Sequence, residues 1–170
     1  MNYIKKLILK IIYILPLKYI LLNNILIESN PDFSDNALYV YKELLKRKIN
    51  NKYKIIWILN NNNSVISVLP YNVITMYRTN RLKFIFYNIF SKYIIDCNNY
   101  IIKRNKSQFR IHLSHGTPLK VVKNYCEAIG AFDVYICLSD YFKKIIPSLY
   151  KNYDENKIIP IRSSKSRCFF

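Results

Sequence analysis

Paired cysteines are missing from this chain. Its four cysteines, Cys97, Cys126, Cys137 and Cys168, include no C-x-x-C pair. Without close, paired spacings neither a metal framework nor a disulfide scaffold is expected. Reduced thiols of a cytoplasmic protein are the expectation, with no metal and no cofactor. A long apolar run is missing too. Near the N-terminus the charge-free run Ile11–Leu17 is held between Lys10 and Lys18 and interrupted by Pro16. That is far short of the ~20 residues that cross a bilayer. No small-residue cleavage site follows, which argues against secretion. Acidic residues are scarce: 10 Asp+Glu face 27 Lys+Arg, a formal charge of +17. Such an excess attracts anionic lipid, nucleic acid or polyphosphate through the same long-range field. Nucleic acid fits worst. No RNP-like signature, zinc-finger spacing or basic-zipper pattern occurs, and the basic residues are scattered along the chain. No nucleic-acid partner is expected.

What is present suits one folded domain. The chain has 170 residues, of which 51% are hydrophobic, enough to bury a real core and too many for a disordered chain. Residues 1–18 read as a basic amphipathic helix. On a helical wheel Ile4, Leu7, Ile8, Ile11, Ile14 and Leu15 fall within an arc of roughly 120°, with Lys5, Lys6 and Lys10 outside it. Such a helix either rests in the headgroup region of an anionic membrane or packs on the domain's own core; it does not span.

Beyond Pro16, strand-like and helix-like patterns alternate. Strands are expected at 19–29, 53–59, 72–77, 92–97, 109–115 and 133–139, with a seventh beginning at 157–161. Helices are expected at 37–48, 80–91 and 140–150, the last with Pro147 as a kink or stop. "NPDFSDN" and "NNNNS" read as loops. The strands are mostly continuous apolar runs, as strands covered on both faces are. An α/β, Rossmann-like domain over 19–161 with a largely parallel sheet and helices on both faces follows. The tail at 162–170, "RSSKSRCFF", follows directly on an apolar strand-like run, where another strand-to-helix turn would be expected, so a truncation is expected there.

The rarest chemistry is concentrated. Both histidines and one of the two glycines lie within "IHLSHGTPLK", residues 111–120. In parallel sheets functional residues gather just past the carboxyl ends of strands, where "SHGTPLK" is expected. Gly116 allows close backbone approach, Pro118 suits the first turn of a helix, Thr117 supplies a hydroxyl and Lys120 a cation. Together they suit a phosphate at a helix N-terminus. His115 beside such a site is a candidate general base for a hydroxyl attacking phosphorus; the alternative is a hydrogen-bonded loop residue. His112 is expected to be a core or supporting residue.

Four segments carry a family resemblance: "IESNPDFSDNALYVYKEL", "KYIIDCNNY", "HLSHGTPLKVV" and "FDVYICLSDYFKKII". In this order they resemble the CDP-glycerol:poly(glycerophosphate) glycerophosphotransferases, the teichoic acid polymerases and their relatives in capsule synthesis. The resemblance implies the N-terminal half of a GT-B-type glycosyltransferase fold. It implies transfer of glycerol phosphate from CDP-glycerol to a polymer or lipid-linked acceptor, with CMP leaving, at the cytoplasmic face of the membrane. It assigns His115 the role of base and Ser114, Gly116, Thr117 and Pro118 contact with the donor. Ser114 stands where family members usually carry tryptophan. No D-x-D metal motif occurs, as in GT-B enzymes. The donor nucleotide would be held chiefly by a C-terminal domain, here expected to be missing or supplied separately. Two other readings are a non-catalytic membrane-surface binding domain and a related transferase of ribitol phosphate.

Overall fold

Seven apolar runs pair as strands of one sheet. The computed structural model describes residues 20–60, 68–98, 101, 103–113, 132–149 and 154–161. Its strands are β1 (Leu22–Glu28), β2 (Lys54–Leu59), β3 (Val73–Tyr77), β4 (Ser91–Asp96), β5 (Phe109–His112), β6 (Val134–Cys137) and β7 (Ile158–Pro160). The described helices are α1 (Asp35–Lys46), α2 (Arg81–Phe90) and α3 (Asp140–Leu149). The sheet order is β3-β2-β1-β4-β5-β6-β7, and every neighbouring pair is parallel. The order reverses between β1 and β4, where open sheets of this kind form a crevice beyond the strand ends. The expected α/β class, with helices on both faces, is what the structure shows.

Alternation along each strand divides the core in two. Ile25, Ile27, Ile55, Trp57, Leu59 and Ile95 point to one face, where Ala37 and Tyr41 of α1 cover them. Leu26, Ile56, Ile58, Met76 and Ile94 point to the other, where Phe84 and Tyr87 of α2 pack. Beyond β5, α3 covers the sheet through Ile146, which meets Tyr135, Cys137 and Ile158. Each fully buried Ile or Leu contributes about 1.5–3 kcal/mol relative to exposure. Runs such as "KIIWIL" can be apolar at every position because both faces are covered.

Local chemistry sets the boundaries. Helix α1 starts two residues before the expected 37, with Ser34 at the N-cap and Asp35 in the first turn, where a negative charge suits the helix dipole. It stops at Lys46 because Lys48 turns left-handed (φ 56°), a conformation that ends helices. Helix α2 is capped by Asn80, whose side chain accepts from the Lys83 N–H. Helix α3 continues past Pro147 to Leu149. At the amino end of the sheet Gln108 joins two elements: its Nε2 donates to Asn88 O (2.6 Å) and Ser91 O (2.9 Å). The expected helix at 1–18 and the tail at 162–170 lie outside the described residues.

Candidate functional site

The apolar strands end in ionisable residues. "ILIE", "YIID" and "FRIH" close β1, β4 and β5 with Glu28, Asp96 and His112. Register places Glu28 beside Asp96 and Asp96 beside His112. Register-paired residues of a parallel sheet point to the same face, so the three form a lateral row across the point where strand order reverses. Glu28 and Asp96 are wholly buried and His112 is 3% exposed.

Asp96 is the centre of the row. Its Oδ2 accepts from Arg110 Nη2 at 2.6 Å, and its Oδ1 lies 3.1 Å from His112 Nδ1. Arg110 sits one pleat lower on β5 and is itself wholly buried. Its backbone N–H donates to Asp133 Oδ2 at 2.7 Å, and Lys103 Nζ reaches both Asp133 oxygens at 2.8 and 2.9 Å. A guanidinium without water needs such a carboxylate, since an uncompensated buried charge is strongly unfavourable. The His112 ring also packs on Tyr135 and Phe132, with centroids 5.1 and 6.4 Å away. Ring contacts and the Asp96 bond together fix its orientation just before residue 114. The core placement expected for His112 is the one found.

Glu28 has a different environment. Both side-chain amides that reach it donate to one oxygen: Asn60 Nδ2 and Asn98 Nδ2 lie 3.1 and 3.2 Å from Oε1. Asn60 is fixed in turn by Asp32 Oδ1, which accepts its N–H at 2.8 Å, and by Ser29 O at 2.8 Å. Glu28 Oε2 is buried and has no hydrogen-bond partner among the described residues. Burial pushes the carboxyl up to about 7; the Asn60 bond opposes this and the nearby Asp96 charge adds to it. A carboxyl in such a place holds a proton near neutrality and can donate from it. Cys97, next to Asp96, is driven to about 12 by burial, so this thiol is no nucleophile. Cys97 and Cys137 are free and buried.

Ser114, His115, Gly116, Thr117, Pro118 and Lys120 lie outside the described residues. The described chain leads to them from the carboxyl end of β5, at Leu113, whose N–H donates to Asp96 O at 2.7 Å. Sequence reasoning passed over Glu28, Asp96 and Arg110 as site residues. The available signal was an ionisable residue closing three apolar strands. Among the described residues no three His, Cys, Asp or Glu side chains are grouped to hold a metal ion, and no helix is long and apolar enough to cross a membrane.

A parallel sheet covered on both faces, with its order reversed beside a row of buried ionisable groups, defines a Rossmann-like α/β domain. Solved structures with this fold include the wall teichoic acid polymerase TagF, 20% identical, with TM-score 0.73 over 92% of this chain and 44% of that one. A histidine variant of TagF soaked with CDPG is similar at TM-score 0.74 and 20% identity, over 93% of this chain and 45% of that one. The likeness is one of fold, that of the GT-B transferases, and this chain spans less than half the length of those structures. No curated protein sequence matches the chain. The sequence model of the CDP-glycerol:poly(glycerophosphate) glycerophosphotransferases matches residues 9–156. The chain belongs to that family.

Proposed function

We propose that the chain is the acceptor-side domain of an enzyme that transfers glycerol phosphate from CDP-glycerol to a teichoic-acid-like or capsular polymer. The observation that carries this reading is the family match across residues 9–156, which includes the whole of "SHGTPLK". His115 takes the proton of the acceptor's terminal hydroxyl. The freed oxygen attacks the phosphorus that bears glycerol, the bond to the cytidylyl phosphate breaks, and CMP leaves. Ser114, Gly116, Thr117, Pro118 and Lys120 contact the substrate, Lys120 supplying a cation to offset phosphate charge and Pro118 stiffening the turn. The buried Asp96–His112 pair supports the backbone that leads into this stretch.

Because the matched structures are more than twice as long as this chain, the reading includes a further domain, in the same or a separate polypeptide, that holds the nucleotide. The basic helix of residues 1–18 keeps the enzyme at the cytoplasmic membrane face, where a lipid-linked acceptor is found. The test is CMP release from CDP-glycerol by the enzyme completed with a relative's C-terminal domain. General-base catalysis is worth about 10²–10⁴-fold, so His115→Ala should lower turnover by that factor with little change in donor affinity. Near-parental turnover by His115→Ala would put the base elsewhere.

A further inference from the structure

We propose that Glu28 is a ligand-binding carboxyl, donating a hydrogen bond from Oε2 to a phosphodiester oxygen of a polyol-phosphate chain lodged at the β1/β4 strand ends. The inference rests on the reading that a glycerol-phosphate polymer is the acceptor, and adds the residue that would hold it.

The geometry gives the donor. Two carboxamides, on the loops after β2 and β4, donate to Oε1, which makes that oxygen the acceptor of the group. The acid proton then belongs on Oε2, the oxygen left without a partner. Buried polar groups are nearly always satisfied, and one that is not asks for a ligand or water. Glu28 also stands where parallel sheets bind ligands, at the reversal of strand order.

The surroundings select the kind of oxygen. Asp96 at the end of β4 faces the Glu28 carboxyl, Asp32 meets it through Asn60, and the Cys97 thiol, packed on the other face of the sheet, feels its charge. Arg78 reaches Asn60 Oδ1 at 3.4 Å, while Arg110 and His112 act behind Asp96. An ionised Glu28 beside Asp96 would repel a phosphodiester; a neutral one donates to it. A polyol hydroxyl, which can itself donate, would be held at least as well by the ionised form. A carboxyl kept neutral up to about pH 7 therefore suits a ligand that is anionic and only accepts.

The experiment uses the full 170-residue chain with ¹³C-labelled glutamate, and bis(glycerol) phosphate as probe, a diester that does not titrate near neutrality. Glu28→Gln assigns the Glu28 carboxyl signal. Its midpoint should lie near 7 and should rise when the diester is added. If only the protonated form binds, diester affinity falls about tenfold between pH 6 and pH 8. Glu28→Gln, which keeps a donor and carries no charge, should bind the diester with no such dependence, and Glu28→Leu should lose it. A midpoint near the ordinary carboxylate value, or no response to the diester, overturns the inference. So does an equal response to glycerol alone. CMP release by the completed enzyme is read separately. Turnover without a diester response defeats the Glu28 assignment alone; a diester response without turnover favours it and counts against the transfer reaction.

Discussion

Replacing Glu28 by glutamine should make the protein more stable at neutral pH and change how its stability depends on pH. Below the unfolded value of 4.5 the carboxyl is protonated whether the chain is folded or not. As pH rises through 4.5 the unfolded chain releases this proton, while the folded chain keeps it until about 7. The folded state then binds more protons, so stability falls across this window and levels off above it. At ~1.36 kcal/mol per pH unit, the interval from 4.5 to about 7 amounts to about 3 kcal/mol. Glutamine reproduces the neutral acid: its carbonyl can accept from Asn60 and Asn98, and it has no proton to lose. The difference in stability between Glu28→Gln and the parent should therefore grow by about 3 kcal/mol between pH 4.5 and pH 8. For a chain of this size that corresponds to a difference of roughly 6–12 °C in melting temperature. Circular dichroism melts of both proteins at half-unit pH steps measure it. Subtracting the two curves removes the groups they share. Parallel curves across pH 5–8 would show that Glu28 ionises normally in the fold, and would refute the reasoning.

Two further outcomes follow from charge and burial. Asp96→Asn leaves the fully buried Arg110 guanidinium without its carboxylate and should cost about 3–5 kcal/mol in chemical denaturation, whereas His112→Ala should lower stability while keeping turnover per folded molecule in the completed enzyme. Changing Lys5, Lys6 and Lys10 together to Glu should release the protein from anionic vesicles, since each lysine near such a surface is worth about 1 kcal/mol; undiminished co-sedimentation would make residues 1–18 part of the core.

The elements were legible because each is a local pattern. The run "KIIWIL" reads as a buried strand wherever it pairs, and β2 occupies 54–59 against an expected 53–59. Strand β1 was expected at 19–29 and occupies 22–28; apolar periodicity does not mark where a neighbour's hydrogen bonds begin. The polar row was not legible. Asp96 and His112 are 16 residues apart, and Glu28 meets Asn98 across 70; only strand order and register bring them together. Arg110 reads in sequence as one more charge of the basic surface. It is wholly buried, so the field outside the protein owes it little. The "SHGTPLK" stretch stands out in the sequence by residue type, and it lies outside the described residues.

Trp57 is the chain's one tryptophan. Its ring is stacked on Phe33 at 4.2 Å and meets Tyr41 edge-on at 5.2 Å. Phe33 follows Asp32, which anchors the Asn60 that holds Glu28. The indole is thus linked to Glu28 by one ring contact, one step of the chain and two hydrogen bonds, and its full burial is a dry setting that favours blue-shifted emission. Fluorescence from this single ring reads out the join between β1, α1 and β2 with no label or added residue. A ligand that rearranged Asn60 or Asp32 would move Phe33 against the indole and change its quenching, so occupancy of the strand ends should be visible in the light the unmodified protein emits.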